Sequence, residues 1–254
     1  RQEILEYTTE LEQLVVKRTE DLTCRNEELG VALEKLEEVS LTDQLTGARN
    51  RHFLSQFLSQ ELTKLKRENT DSSQHSSIGL IMLDIDFFKK VNDEHGHDAG
   101  DKVLIQFTNV LQETCRDSDW IVRWGGEEFI IVARGLTSDG LEQLAERIQK
   151  NIESHAFDIG LDIPIYKTCS LGITSYPFMS NNIDELTWEQ TLNLADIGLF
   201  IAKNNGRNSW VRLYENNIQL PEKIYEEAME NLKPLIDNGH ISYSTNLEKE
   251  DMNF

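Results

Sequence analysis

The chain has 254 residues, 39% of them apolar, with 25 Lys and Arg against 45 Asp and Glu and a formal net charge of −20. That length can bury a substantial core in one or two domains. So acidic a surface repels nucleic-acid backbones and anionic lipid, which excludes a basic-patch binder, and it admits a polyphosphate only where cations neutralise it locally.

Residues 1–40 contain no Pro and one Gly, and Val15, Leu22, Leu29 and Leu36 recur at heptad spacing. This reads as the seam of a long helix, with Thr19, Asn26 and Leu33 four residues after the first three seam positions. A buried Asn26 favours a two-stranded pairing and fixes its register. The competing reading is one amphipathic helix packed on its own domain. A start at Arg1 inside this pattern leads us to expect an upstream sensor domain.

From 41 to 213 the pattern alternates. Helices are predicted at 50–67, 98–113, 139–153 and 189–204, and strands at 78–84, 120–124, 127–134, 167–174 and 207–213. Residues 69–77 form a polar loop, and 214–254 form an acidic extension with a helix from Pro221 to about 238. The expected fold is a mixed α/β sheet with a central β-hairpin. No apolar run is long enough to span a membrane, and no secretory signal is visible. Cys24, Cys115 and Cys169 lack metal spacing and read as reduced, structural and cytoplasmic.

Two acidic clusters interrupt this pattern. Trp124-Gly-Gly-Glu-Glu-Phe129 joins two strand-like runs, and Gly125-Gly126 reads as a hairpin turn with both glycines at positive φ. The bland alternative is a tight hairpin with solvated glutamates. The apolar run Ile78–Leu83, however, ends in Asp84 and Asp86, two positions apart and so on one side of a strand. If that strand lies beside the hairpin, Asp84 and Glu127 share hard divalent cations; Mg²⁺ or Mn²⁺ suits such oxygens and zinc does not. The His95-x-His97 pair has no soft ligand beside it and is not read as a metal site.

With Gly125-Gly-Glu-Glu-Phe129 as its GGEEF signature, the chain resembles a GGDEF-family diguanylate cyclase domain. Other motifs agree in order: Leu41-Thr-Asp-Gln-Leu-Thr-Gly47 with Asn50-Arg51, Asp84 through Asp93, and Gly96-His-Asp-Ala-Gly-Asp101. Ala195-Asp196, Ala202-Lys203 and Gly206-Arg-Asn208 resemble the closing motif. The resemblance covers about 41–213 and implies a nucleotidyl-cyclase-like palm with a mixed, mainly antiparallel sheet. The expected domains are a coiled-coil linker helix at 1–40, the GGDEF domain at 41–213 and the C-terminal extension at 214–254.

The resemblance further implies a homodimer, paired through the N-terminal coiled coil, that condenses two GTP into cyclic di-GMP and two pyrophosphates. Asp84, the Ile85 carbonyl and Glu127 would hold two Mg²⁺ or Mn²⁺ ions, with Glu128 beside them. Glu127 is the candidate proton acceptor, and Lys89 offsets charge in the transition state. Asn92 and Asp101 match guanine contacts, His97 lies near the nucleotide, and Lys203 and Arg207 hold phosphates. Phe87 and Phe88 read as core or pocket wall, and Asp86 and Asp93 as structural caps. Arg116-Asp-Ser-Asp119 has the family's RxxD spacing for an inhibitory product site, with Arg147 as a second contact from the neighbouring subunit. Among departures from the family pattern, Gly198 stands within a helix where Ala is frequent, at an expected cost of about 1 kcal/mol. The alternative is a catalytically silent module that binds GTP or cyclic di-GMP and signals through its helix.

Overall fold

The computed structural model describes residues 17–19, 22–23, 25–26, 40–71, 77–179, 185–216, 223–248, 252 and 254. The chain forms two compact units, Arg1–Thr42 and Asp43–Phe254. In the first, every described residue before position 40 is helical, and Leu22 is 61% exposed. Seam positions 15, 29, 33 and 36 lie outside the described residues.

The second unit begins with β1 (Arg49–Asn50), α1 (Arg51–Asp71), β2 (Ile78–Ile85), α2 (Phe88–His95) and α3 (His97–Thr114). Next come β3 (Trp120–Gly125), β4 (Glu128–Arg134), α4 (Ser138–Ser154), β5 (Ala156–Phe157), β6 (Ile165–Tyr166) and β7 (Cys169–Tyr176). It closes with α5 (Trp188–Asn204), β8 (Trp210–Glu215), α6 (Ile224–Glu230), α7 (Leu232–Asp237) and β9 (Ile241–Thr245). Among the described residues the main sheet has seven strands in the order β1-β3-β4-β2-β7-β8-β9. β1–β3 and β7–β8 are parallel and the other four pairings antiparallel, as the mixed, mainly antiparallel expectation requires.

The central strand is apolar on both faces because helices cover both. Ile81, Leu83 and Ile85 of β2 pack with Phe129 and Ile131 of β4 against α2, α3 and α4, where Phe107 lies 5.2 Å from Phe129. Leu80 and Met82 alternate to the opposite face, with Ile130 and Val132, against Leu54 and Leu58 of α1 and Leu192 and Leu199 of α5. Each such side chain contributes about 1.5–3 kcal/mol when fully buried. A capping box of Thr187 and Gln190 starts α5, and Thr137 caps α4.

Two close approaches fix α5 on the sheet. A Cβ on Gly172 would lie 1.8 Å from the Ala195 carbonyl oxygen, and one on Gly198 would lie 2.8 Å from that of Val211. Gly198 therefore has a packing role beside its expected helix-propensity cost.

Other expectations are refined. The strand predicted at 207–213 begins instead at Trp210, because Arg207 and Asn208 are left-handed. The single helix predicted after Pro221 is two helices, α6 and α7, separated at Asn231. Pro234 in the first turn of α7 lacks the N–H that a continuous helix would need. The C-terminal segment then supplies β9, which pairs antiparallel with β8. α6 and α7 close an apolar cluster with Ile201, Val211, Leu213 and Ile241.

Candidate active site

The signature hairpin turns one residue later than expected. Gly125 is the last residue of β3 and pairs with Glu128, so the central turn residues are Gly126 and Glu127. Gly126 has φ 54°, whereas Gly125 is not at positive φ. Positive φ at the first central residue alone is the pattern of a type II′ turn. Arg123 holds this turn: its Nε and Nη2 donate to the Gly126 carbonyl at 3.1 and 2.9 Å. Its Nη1 pairs with Asp43 Oδ1 at 2.9 Å, and the same oxygen accepts from Thr46 Oγ1 at 2.7 Å. The opening motif at 41–47 thereby braces the signature. Burial pushes the Asp43 carboxyl up, but the hydrogen bonds from Thr46 and Arg123 outweigh it and hold the group below its ordinary value.

The turn places the acids. Asp84 and Glu128 are directly opposed across β2 and β4, so both side chains leave the sheet on its α5 face. Ile85 N–H donates to the Glu127 carbonyl at 3.4 Å, joining the end of β2 to the turn. Asp84 is 6% exposed, and Lys203 Nζ of α5 meets its Oδ2 at 2.8 Å. Burial raises the Asp84 pKa, Lys203 pulls it back, and Asp86 adds to the rise. Burial and then the charge of Asp84 raise Glu127 and Glu128, and Asp196 raises Glu128 further. Asp196 itself is raised by burial, with Lys203 opposing.

Asp196 is a member of this cluster that sequence reading quoted without a role. It precedes Lys203 by seven residues, two helical turns, which puts both on one face of α5. Among the described residues, no three acidic, His or Cys side chains are gathered tightly enough to cage an ion. The donor set nonetheless suits a hard divalent cation. Its carboxylates repel one another, and one of them already attracts an ammonium.

Asp86 has a different task. It is 1% exposed and accepts from Thr168 Oγ1 and Ser170 Oγ, each at 2.7 Å, and from Asn208 N–H at 3.0 Å. Phe88 is buried, whereas Phe87 is 58% exposed with φ 56°, so Phe87 is not core. The Arg207 guanidinium lies 4.4 Å over its ring. Lys167, which sequence reading passed over, donates to the Phe87 carbonyl at 3.4 Å, and burial lowers its pKa.

The expected guanine contacts lie on α2 and α3, on either side of Gly96, which turns the chain at φ 83°. His97 and Asp101 are exposed one turn apart on α3. The Asn92 side chain lies in the space that a side chain at Gly100 would fill, its Oδ1 2.0 Å from that missing Cβ. Lys89 is exposed in the first turn of α2.

The RxxD residues lie at the other end of α3, about 25 Å from His97 along the helix. Asp119 is 8% exposed, and its Oδ2 accepts from the Arg116 N–H at 3.0 Å and its Oδ1 from the Arg134 N–H at 3.4 Å. The Arg116 side chain is exposed. Arg147 donates to the Thr114 carbonyl at 3.0 Å, beside this turn in the same chain. Burial and Asp119 push the Cys115 thiol up to about 12, with Arg147 opposing. Cys115 and Cys169 are free, and Cys24 lies outside the described residues.

A layered sheet whose acidic hairpin adjoins an acid-tipped central strand is the palm of the nucleotidyl cyclases. The family model described as diguanylate cyclase, GGDEF domain, matches residues 40–209, and the chain belongs to the GGDEF family. Diguanylate cyclase A of Treponema denticola is 33% identical over 186 residues, which are 72% of this chain and 47% of that protein. Diguanylate cyclase DgcP of Pseudomonas aeruginosa is 39% identical over 176 residues, 69% of this chain and 24% of that protein. The chain thus spans less than half the length of these two relatives. The crystal structure of the coiled coil and GGDEF domain of DgcB from Caulobacter crescentus, in complex with c-di-GMP, aligns with a TM-score of 0.64. That alignment has 25% identity and covers 76% of this chain and 96% of that one. Among the described residues, no helix is long and apolar enough to cross a membrane.

Proposed function

We propose that this chain is a diguanylate cyclase, joining two GTP molecules into cyclic di-GMP with release of two pyrophosphates. The observation that carries the reading is Asp84 opposite Glu128 across β2 and β4, with Glu127 in the adjoining turn and Lys203 2.8 Å from Asp84. Asp84, the Ile85 carbonyl and Glu127 would hold Mg²⁺ or Mn²⁺, two ions per site, with Glu128 adjacent. Bound there, the ions would neutralise the polyphosphate and polarise the reacting phosphoryl oxygens.

The chain's own groups do the rest. Glu127 takes the proton of an attacking 3′-hydroxyl, a task suited to a carboxylate whose pKa is raised. The new 3′-O–Pα bond forms as the bond from Pα to pyrophosphate breaks. Lys203 and Arg207 hold phosphate oxygens, Lys89 offsets charge as the leaving group departs, and Asn92 and Asp101 read the guanine edge with His97 nearby. Each domain holds one nucleotide, so two must face each other in a homodimer. A helix pair through residues 1–40 would raise their effective concentration, and the exposed Leu22 supports such a seam. Cyclic di-GMP would inhibit by binding Arg116 and Asp119, with Arg147 of a neighbouring subunit as second contact. A GTP substrate and reduced thiols point to the cytoplasm, with an upstream sensor as the input.

Incubation with GTP and Mg²⁺, followed by chromatography, tests this reading. Cyclic di-GMP is expected from the chain and none from Glu127→Gln. GTP binding without product from the unmodified chain would leave the silent signalling module.

A further inference from the structure

Gly206, Arg207 and Asn208 have φ 112°, 63° and 46°, three left-handed residues in succession. For Arg and Asn such backbone is uphill by about 1 kcal/mol each, so neighbours must hold it. In front, Asn208 N–H donates to Asp86 at 3.0 Å. Behind, the buried Gln149 of α4 gives its amide to the Asn208 backbone carbonyl and, at 3.2 Å, to Asn208 Oδ1. Gln149 Oε1 accepts from Asn246 Nδ2 at 2.7 Å, and Asn246 Oδ1 accepts from Trp210 N–H at 3.0 Å. Asn246 directly follows β9, well beyond residue 209, where the family match ends.

We infer that Gln149 and Asn246 are positioning residues for Arg207, a brace supplied partly by the C-terminal segment that aims the guanidinium at the phosphates of a bound nucleoside triphosphate. This rests on the proposed role of Arg207. The brace fixes the backbone from which that side chain departs, and a small shift there swings its far end away from an oxygen. Asn208 Nδ2 also reaches Glu153 Oε1 at 2.9 Å, so both ends of its side-chain amide are held by α4.

The test separates the brace from the strand anchor. Asn246→Asp keeps an acceptor for Trp210 N–H but removes the donor to Gln149, which must then turn its carbonyl toward Asn208. Gln149→Met keeps the packing and removes the amide. The probe is 3′-deoxy-GTP with Mg²⁺, titrated into the full chain, because it lacks the hydroxyl needed for condensation. Each variant is expected to bind about five- to tenfold more weakly. Adding Asn246→Asp to Arg207→Ala is expected to cause no further loss, since the brace acts through Arg207. Wild-type affinity in both brace variants, or losses that multiply in the double variant, would overturn the inference. Wild-type affinity in Arg207→Ala would instead remove the phosphate role of Arg207, and the inference with it.

Discussion

Lys203 and Asp84 form an ion pair at 2.8 Å, with α5 supplying the cation and the end of β2 the anion. The lysine proposed to hold phosphate is therefore already held near the acids, and binding nucleotide with its cations means exchanging one partner for another. Lys203→Met should weaken binding of 3′-deoxy-GTP in Mg²⁺ by about 10- to 100-fold, the worth of one charge-assisted hydrogen bond. Calorimetric titration reads this directly, and an unchanged affinity would remove Lys203 from the site.

Asn92 occupies the space left by Gly100, so Gly100→Ala should push the proposed guanine reader aside. Overpacking there is expected to destabilise the fold by about 1–3 kcal/mol. The affinity for 3′-deoxy-GTP should fall more than that for 3′-deoxyinosine triphosphate, which lacks the exocyclic amine. Equal losses for both nucleotides would argue against base reading at Asn92.

Helix propensity alone says that Gly198→Ala stabilises by about 1 kcal/mol. Close packing on Val211 and Gly172 reverses the sign, and urea unfolding is expected to show a loss of about 1–3 kcal/mol. A stabilised variant would mean that α5 can lift off the sheet without penalty.

The Asp43 pairing with Arg123 predicts a pH dependence. The folded pKa lies below the ordinary 3.8, so its stabilisation is fully present above that value and is lost as pH falls through the folded pKa. Asp43→Asn should cost about 1–2 kcal/mol at pH 7, with the gap to wild type constant down to about pH 5 and narrowing below about pH 4. Urea titrations across that range check it; a gap that widened on acidification would contradict the assignment.

Much of the site was legible because an apolar run that ends in acids, as at Asp84, has few structural explanations. The pairing of Asp84 with Glu128 was not. Which glutamate shares its face depends on where the hairpin turns, and a shift of one residue exchanges the faces. α2 escaped notice because it buries only Phe88 and Val91, too few to mark a helical period. β9 reads Ile-Ser-Tyr-Ser-Thr, and pairing with β8 rather than composition makes it a strand. Asp196 carried a helical spacing to Lys203 that gained meaning only when α5 was seen to cross the acid-bearing face.

The sheet continues to Thr245, although the family match stops at residue 209. A fragment cut just after β8, at Glu215, would strip away the strand beside it. Its backbone amides and carbonyls would be left open to any neighbouring chain, with Val211 no longer covered by α6 and α7. Such a fragment would be prone to clump, and its inactivity would then report a raw edge and not a missing catalytic group.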